Sequence, residues 1–392
     1  MKILMYRWKA YNQQDIVEQL ELRGHQVDEI RGEMSNFDTD MIFYDKFIEK
    51  LDGDRYDLVL TVNYFPLISI ACEERGIRYV SWCCDSPIGT MYHQSVYNKM
   101  NTIFTFDMFN KVEFEDMGAN VLHLPLCGAV ERVDALLSEA SDLEEYDCNI
   151  SFIGSMYNKN SYDEVYDHLP EYLKGYFDGV LKIQTGLYGE YVLDDILDAT
   201  TVRELNKHFI LAKSEESFSD LSLVFATTVL GFKIAQMERK RLLARLSKVA
   251  EVNLYTDDEH VDLPGVNNRG IADYWEVAPK IFNRSKINLN FTIRSIRTGI
   301  PLRVWDILSA GGFCITNYKS QTPAQNDYVM YFENGKDLVI FEDEEDLIEK
   351  VKYYLSHEEE RKTIAMNGYN KVKNLHKYSD RFDEMKKIIP EL

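Results

Sequence analysis

The feature that most constrains the fold is a unit of helix, glycine and strand that recurs three times in the first half of the chain. The stretches are "IVEQLELRGHQVDEI", "LISIACEERGIRYVSWCCD" and "VEFEDMGANVLHLPL", whose helices stop at Gly24, Gly76 and Gly118. A glycine just past a helix end permits the left-handed turn that caps it. Strands that alternate with helices at this spacing are typical of βαβ units around a mostly parallel sheet. With "KILMY" and "YDLVLTVN" as further strands, residues 1–145 are predicted to form one doubly wound α/β domain.

A second series of the same kind follows the polar stretch "SEASDLEEYD", which has the composition of a linker. It begins with the strand "CNISFIGS" and continues through the helix "IADYWEVAPKIFNRS", the strands "KINLNF", "FCITN" and "DLVIF", and the helix "DEEDLIEKVKYYL". A chain of 392 residues is also too long for one ordinary core. We therefore predict an α/β protein of two Rossmann-like doubly wound domains, 1–145 and 146–376, with a last helix within 377–392.

Composition excludes several classes of protein. A formal net charge of −21 and a pI near 4.9 leave no broad basic surface, so nucleic acid and anionic membranes are not expected partners. No run approaches the roughly 18 apolar residues of a membrane span, and the N-terminus lacks the apolar region of a signal peptide, so we expect a cytoplasmic protein without an integral membrane segment. The six cysteines lack metal-type spacing and are interpreted as reduced thiols, and no metal site is expected.

Polar residues end three strands of the first predicted domain, at Asn63, Asp85 and Asp107. Ligands of open parallel sheets bind beyond the carboxyl ends of the strands, which makes Asn63 and Asp107 candidates for the acceptor side of a site and Asp85 a candidate catalytic base. His93 lies shortly after Asp85 and is a second candidate base. The alternative is that these residues only form loops, cap helices or pack in the core.

Three arginines are concentrated in the stretch "RSIRTGIPLR", at Arg294, Arg297 and Arg303. The stretch follows the strand "KINLNF", which ends near Asn290. A helix is predicted to begin at Pro301, where a missing N–H costs least. Its N-terminus lies directly behind Thr298 and Gly299 and would offer free N–H groups and a positive dipole end to an anion.

The predicted ligand of this stretch is a compact anion such as pyrophosphate, because arginine suits bidentate contacts with phosphate oxygens. Asp306 lies three residues after Arg303 on the same helical face, where its carboxylate could accept hydrogen bonds from sugar hydroxyls. The turn at Gly154 and Ser155 would let a ligand approach the backbone, although a strand followed by glycine is a weak signal by itself. The alternative for the arginines is simple pairing with the acidic surface.

Several longer stretches carry a family resemblance. In the second half these are "ISFIGSMY", "MERKRLLARLSKVAEVNLYT", "SKINLNFTIRSIRTGIPLRVWDILSAGGFCITNY", "DLVIFEDEEDLIEKVKYYLSHEEERKTIAMNGYNKV" and "HKYSDRFDEM". This half resembles the GT-B glycosyltransferases, specifically the bacterial spore-maturation-protein type with a glycosyltransferase family 1-like C-terminal domain. The first half, with "YDLVLTVNYFPLISIACEERGIRYVSWCCDSP" and "NTIFTFD", is similar to the N-terminal domain that accompanies it.

The resemblance implies a nucleotide-sugar donor in the C-terminal domain, an acceptor at the N-terminal domain, reaction in the cleft without an obligatory metal, and a final helix that crosses back. Many such enzymes carry two glutamates separated by seven residues, and here that frame falls on Thr298 and Asp306. Asp306 retains a carboxylate for the ribose, whereas Thr298 lacks the first one. The nucleotide base is expected near Tyr255, the turn Arg269–Gly270 and Tyr274.

The predicted function is glycosyl transfer from a nucleotide-diphosphate sugar to a hydroxyl of a surface glycan or protein. The arginines and the helix N-terminus would stabilise the leaving diphosphate. The acceptor hydroxyl needs a base only if the reaction inverts the anomeric carbon, and Asp85 or His93 would then take its proton. No cofactor is expected beyond the donor substrate. Two alternatives stay open, a nucleotide-sugar epimerase on the same fold and a non-catalytic partner that keeps the nucleotide pocket. The missing carboxylate at Thr298 favours the second.

Overall fold

A computed structural model of the chain describes residues 1–258, 261–319 and 326–392. The residues group into two compact units. Unit 1 comprises Met1–Leu126, Ile210–Leu223 and Tyr378–Leu392, and unit 2 comprises Cys127–Phe209 and Val224–Lys377. Each unit is built around one parallel six-stranded sheet, as the alternation of strands and helices predicts.

The strands, in chain order, are β1 (Lys2–Arg7), β2 (Gln26–Arg31), β3 (Leu58–Val62), β4 (Arg78–Cys83), β5 (Asn101–Thr105), β6 (Val121–His123), β7 (Cys148–Ile153), β8 (Val252–Tyr255), β9 (Val266–Asn268), β10 (Ser285–Asn290), β11 (Cys314–Asn317) and β12 (Val339–Phe341).

The α-helices are α1 (Gln13–Leu22), α2 (Met41–Asp52), α3 (Pro66–Arg75), α4 (Met108–Asp116), α5 (Val130–Glu139), α6 (Ser161–Tyr166), α7 (Glu171–Gly186), α8 (Leu193–Ile196), α9 (Ala199–Leu205), α10 (Leu221–Val224), α11 (Leu230–Leu246), α12 (Ala278–Arg284), α13 (Leu302–Ser309), α14 (Asp327–Tyr331), α15 (Glu344–Ser356), α16 (Glu358–Leu375) and α17 (Tyr378–Lys386).

The sheet of unit 1 has the strand order β2-β1-β3-β4-β5-β6. The three glycines that end the predicted helices adopt left-handed φ values of 81°, 63° and 87° at Gly24, Gly76 and Gly118, so this part of the sequence interpretation is confirmed. Strand order reverses between β1 and β3, and at such a switch point the connecting loops diverge and leave a crevice at the carboxyl edge of the sheet.

The sheet of unit 2 has the order β12-β11-β10-β7-β8-β9, which is the Rossmann order of two βαβαβ halves. Its switch point lies between β7 and β10, which pair in parallel with Ile287 beside Ile150 and Leu289 beside Phe152. All four of these side chains are almost completely buried, in a core that also includes α11 and α15. The crevice of unit 2 is therefore bounded by the turns that follow β7 and β10.

The units are divided differently from the predicted boundary near residue 145. Helix α5 belongs to unit 2 because it packs on α12 and α13, and the Tyr369 hydroxyl of α16 donates to the Asp134 carboxylate of α5 at 2.8 Å. The segment Ile210–Leu223 belongs to unit 1. Its Phe218 N–H donates to the Tyr92 carbonyl at 2.9 Å, and its Glu216 carbonyl accepts from the Gln94 N–H at 2.9 Å.

One helical stretch among the described residues, Leu221–Leu246, is long and apolar enough to cross a membrane by length and composition alone. It joins α10, a π-helical turn at Phe225–Val229 and α11. Within its most apolar window, 56% of the stretch is buried inside the protein. The core helix of a globular unit meets the same criterion, so the stretch is weak evidence for a membrane span.

Candidate functional site

The turn after β7 lies at the switch point of unit 2 and contains the predicted Gly154 and Ser155. The Gly154 N–H donates to the Tyr255 carbonyl at the end of β8 at 3.0 Å, and a Cβ added at Gly154 would meet the Phe152 ring at 3.3 Å. The Ser155 hydroxyl accepts from the Tyr157 N–H at 3.0 Å. Tyr157 holds a left-handed φ of 51°, which bends the chain sharply away from the strand.

An anionic side chain already lies on this turn. The Asp258 carboxylate, from the loop after β8, accepts from the Met156 N–H at 2.5 Å and from the Ser155 hydroxyl at 3.4 Å. One backbone N–H and one hydroxyl after the strand thus bind an oxyanion, so residues Gly154–Tyr157 form an anion-binding turn. The sequence interpretation did not single out Asp258.

The second wall of the crevice is the loop after β10, where the buried Asn290 amide donates to the hydroxyls of Thr292 and Thr316 at 2.8 and 2.9 Å. The Thr292 N–H donates to the side chain of Asn317 at 2.7 Å. Asn290 therefore fixes the start of the loop from within the sheet, and its own amide is already satisfied there.

Farther along this loop the backbone is held by Lys319, whose ammonium donates to the carbonyls of Gly299 and Ile296. Thr298 is 4% exposed, and its carbonyl accepts from the Asp327 N–H at 3.3 Å. Pro301 is the N-cap of α13, one position before the first helical residue. Lys319 was missed because one lysine after a strand has no distinguishing pattern in the sequence.

Arg294 does not present a free guanidinium to solvent. It is 7% exposed and makes a bidentate ion pair with the buried Glu238 of α11, with N–O distances of 2.6 and 3.3 Å. Its guanidinium also lies 3.9 Å from the ring centroid of Tyr188. The pair neutralises both charges, so Arg294 anchors the loop after β10 to α11.

The other two arginines of the stretch also have carboxylate partners. Arg297 pairs closely with Asp194, and its guanidinium lies 4.9 Å from the Tyr191 ring centroid. Arg303, in the first turn of α13, lies over the Phe282 ring and 3.8 Å from the Asp306 carboxylate. Both are partly exposed, with 24% of each side chain accessible, so either can still reach a ligand.

Asp306 and Tyr274, both predicted donor-binding residues, are in direct contact. The Tyr274 hydroxyl donates to Asp306 Oδ1 at 2.9 Å, and 12% of the Asp306 side chain is accessible. Arg132 of α5 lies over the neighbouring Trp275 ring at 4.2 Å and over Tyr274 at 5.6 Å. α13, α5 and the loop before α12 thus form one small polar cluster, and Arg132 is a member that sequence reasoning missed.

The predicted base-binding residues lie along β8 and β9. Tyr255 ends β8, is half-buried, and has its pKa raised by burial. Arg269 donates through its backbone to the Leu254 carbonyl at 2.8 Å and through Nε to Asn253 at 3.3 Å. Gly270 adopts a φ of 75° and accepts from the Thr256 N–H at 2.8 Å. These three residues surround the end of β8, beside the Gly154 turn.

Arg239 of α11 is the most informative residue that sequence reasoning missed. It is 8% exposed, and its guanidinium donates to the Ser155 carbonyl at 2.5 Å and to the Phe291 carbonyl at 2.7 Å. These carbonyls belong to the turns after β7 and β10. A signal did exist, because Arg239 itself falls four residues after Ala235 and four before Leu243, in the apolar stripe of the helix.

In unit 1 the structure brings Asn63 and Asp85 together at the carboxyl edge. The Asn63 amide donates to Asp85 Oδ2 at 2.7 Å, and Asn63 Oδ1 accepts from the Cys84 N–H at 2.8 Å. Asn63 holds a left-handed φ of 65°, which directs its side chain toward the end of β4. Asp85 reaches solvent, yet the protein around it removes enough water to raise its pKa, while the Asn63 hydrogen bond opposes that rise.

Asp107 is fully buried and caps α4, since its carboxylate accepts from the Phe109 N–H at 3.1 Å and from the Ser86 hydroxyl at 2.9 Å. This is the capping role that the sequence left open as an alternative.

His93 does not fit the role of an accessible base. It is 2% exposed, its Nδ1 accepts from the Ser95 N–H at 3.1 Å, and its Nε2 lies 3.4 Å from the Glu216 carboxylate. Burial lowers its pKa, and the carboxylates of Asp38 and Glu216 oppose that shift. His93 packs beneath the segment Ile210–Leu223, which the sequence interpretation did not place in unit 1. Within residues 1–258, 261–319 and 326–392, no three His, Cys, Asp or Glu side chains gather as a metal site.

Solved structures of glycosyltransferases align with this chain along almost its whole length. The structure of Anabaena Alr3699/HepE in complex with UDP aligns over 100% of this chain and 100% of its own, with a TM-score of 0.56 and 10% identity. The fold is therefore GT-B. A glycosyltransferase from Rickettsia africae covers 100% of this chain and 98% of its own, with a TM-score of 0.50 and 10% identity.

A third such structure is WaaG, a glycosyltransferase involved in lipopolysaccharide biosynthesis, with 99% coverage of both chains, a TM-score of 0.50 and 13% identity. Residues 238–387 match the model of a family described as glycosyl transferase-like. The chain matches none of the curated proteins in sequence. The spore-maturation type suggested by the sequence motifs stays a prediction.

Proposed function

We propose that the chain is a glycosyltransferase that moves a sugar from a nucleoside-diphosphate sugar to a hydroxyl of a surface glycan or protein. The observation that carries the proposal is the switch point of unit 2, where the anion-binding turn after β7 and the anchored loop after β10 form the crevice walls. The GT-B fold and the glycosyl transferase-like match over residues 238–387 support a sugar-nucleotide ligand there. HepE was solved with UDP and, separately, with UDP-glucose.

In the proposed reaction the acceptor oxygen attacks the anomeric carbon of the donor sugar. The bond from that carbon to the β-phosphate oxygen breaks, and the nucleoside diphosphate leaves with the electron pair. Cations and N–H groups fixed before the reaction stabilise this growing charge without reorganisation. The start of α13, with Arg303 in its first turn, and the partly exposed Arg297 fit this task.

We assign the ribose to Asp306 and the acceptor proton to Asp85. Asp306 has one carboxylate oxygen bound by Tyr274, which orients the other for a sugar hydroxyl. Asp85 combines solvent access with a raised pKa, which suits a carboxylate that must accept a proton. We propose that the reaction takes place in the cytoplasm and needs neither an obligatory metal nor a further cofactor.

A thermal-shift panel tests the proposal with UDP, GDP, TDP, ADP and CDP, each with and without Mg²⁺ and each beside its monophosphate. A ligand that binds only the folded chain raises the midpoint by mass action. We expect one diphosphate to shift the midpoint without Mg²⁺ and by more than its monophosphate. Incubation of the matching nucleotide sugars with and without acceptor glycans, followed by product analysis, then separates transfer from epimerisation. No shift with any diphosphate would reject the donor site.

A further inference from the structure

Arg239 joins the two walls of the unit 2 crevice. Its two hydrogen bonds end on the carbonyls of Ser155 and Phe291, one on each side of the switch point. Because one planar guanidinium makes both bonds, it sets the spacing of the two turns. A Cβ added at Gly154 would lie 4.0 Å from Arg239 Nη1, so glycine leaves the space beside this cation open.

The charge of Arg239 is not balanced by a carboxylate among the described residues. Its contacts there are the two carbonyls and the rings of Tyr157 and Phe152, whose centroids lie 4.8 and 5.4 Å from the guanidinium carbon. Its Nε is buried without a hydrogen-bond partner in that part of the chain. A buried cation without a counter-ion is costly, so a site of this kind favours an external anion.

The nearby turn provides an independent observation. Asp258 lies on the Met156 N–H and reaches the hydroxyls of Ser155 and Thr256, both at 3.4 Å. A carboxylate and a phosphate accept the same kind of hydrogen bond from such a turn. Asp258 Oδ2 therefore occupies the position in which a phosphate oxygen would accept hydrogen bonds from these same groups.

We propose that the Gly154–Tyr157 turn and Arg239 form a phosphate subsite that Asp258 fills as an internal anion when no ligand is bound. A phosphate group displaces Asp258 from the Met156 N–H and is stabilised there by the positive charge of Arg239, which lies behind the turn. The identification of this phosphate as part of a nucleotide-sugar diphosphate rests on the proposed function. Asp258 then lowers the affinity of the empty site for every anion, because its carboxylate must first leave.

Calorimetric titration with UDP, inorganic pyrophosphate and uridine tests the proposal on the full chain. Arg239→Gln removes the buried charge, and Asp258→Asn removes the internal anion while retaining an oxygen that can accept from Met156. The matched control is Arg245→Gln on the same helix, because the Arg245 guanidinium pairs with Glu344 and Glu345 instead. Arg239→Lys keeps the charge if the glutamine variant does not fold.

We expect Arg239→Gln to weaken pyrophosphate and UDP about tenfold or more, as loss of charge-assisted contacts does, and to leave uridine unchanged. Asp258→Asn should tighten both phosphate ligands about threefold or more. Arg245→Gln should leave the affinities for pyrophosphate, UDP and uridine unchanged. If Asp258→Asn weakens the phosphate ligands, or if Arg239→Gln weakens uridine as much as UDP, the turn is only structural and the inference is wrong.

The titrations, together with the thermal-shift panel, also distinguish failure of this inference from failure of the proposed function. If the wild type binds UDP and neither variant changes its affinity, the inference fails while the donor site stands. If pyrophosphate binds more weakly to Arg239→Gln and more tightly to Asp258→Asn, but no nucleoside diphosphate of the panel binds, the phosphate subsite is supported and its assignment to a nucleotide-sugar donor is rejected. If the wild type binds neither kind of ligand, both are rejected.

Discussion

Replacing Glu238 with glutamine should destabilise unit 2 strongly, because it leaves the Arg294 charge buried without its counter-ion. Side-chain exposure in this pair is 5% for Arg294 and 2% for Glu238, so water cannot screen the unpaired guanidinium. Removing one partner of a buried ion pair typically costs about 3–5 kcal/mol. For a unit of this size that corresponds to a fall of roughly 6–20 °C in the midpoint of its thermal transition.

The assay is differential scanning calorimetry, which can resolve separate transitions of two units where they exist. The double variant Glu238→Leu with Arg294→Met replaces both charges with apolar groups, and we expect it to recover most of the lost stability. It should also keep diphosphate affinity within about threefold of the wild type, since Arg294 anchors the loop without binding the ligand. A double variant as unstable as Glu238→Gln, or one that no longer binds diphosphate while folded, would refute this reasoning.

Three further outcomes follow from individual contacts. Asn63→Gly keeps the left-handed backbone and removes the hydrogen bond from the Asn63 amide that lowers the Asp85 pKa. The acid limb of the pH profile of kcat/KM should therefore move to higher pH, and an unmoved limb would reject Asp85 as the base. Burial lowers the His93 pKa below its ordinary value of 6.5, so the folded chain favours the neutral imidazole. The stability that this contributes is present above about pH 6.5 and is lost as the pH falls below that value. In urea titrations, the unfolding free energy of His93→Asn should therefore fall less with decreasing pH than that of the wild type. Gly368→Ala would place a Cβ 2.3 Å from the Asp337 carbonyl oxygen, so we expect the unfolding free energy to fall by about 1–3 kcal/mol. An unchanged unfolding free energy would mean that α16 moves to accommodate the methyl group without cost.

The fold could be predicted from the sequence because it depends on local patterns that the sequence displays directly. The left-handed glycines at 24, 76 and 118 and the apolar strands between them specify the parallel sheet of unit 1. The association of Ile210–Leu223 with unit 1 could not be predicted, because it depends on contacts of Phe218 and Glu216 with residues more than a hundred positions earlier. The same holds for α5, whose partner Tyr369 lies far along the chain.

Predictions of individual site residues were less complete because charge in a sequence says nothing about its partner. Asp85 and Asn63 do lie together, and so do Asp306 and Tyr274, since strand ends and helix starts fix their places. His93 fails as a base because a segment more than a hundred residues away covers it.

The distribution of counter-ions decides which arginine of unit 2 is electrostatically available to a ligand. Arg294, Arg297 and Arg303, which cluster in the sequence, each have a carboxylate within 4 Å, whereas Arg239 makes no such pair among the described residues. A paired arginine must release its own carboxylate before it binds a ligand anion, which reduces the net contribution of Arg297 and Arg303 to affinity. Arg239 has no ion pair of its own to break among the described residues, although Asp258 must leave the neighbouring turn when a phosphate binds. Glu238 and Arg239 are adjacent in α11 and have opposite consequences: the first neutralises the loop arginine, and the second leaves a positive field at the switch point. A cluster of arginines beside a strand is therefore a weaker guide to a phosphate site than a single charged residue in the apolar stripe of the helix that packs behind it.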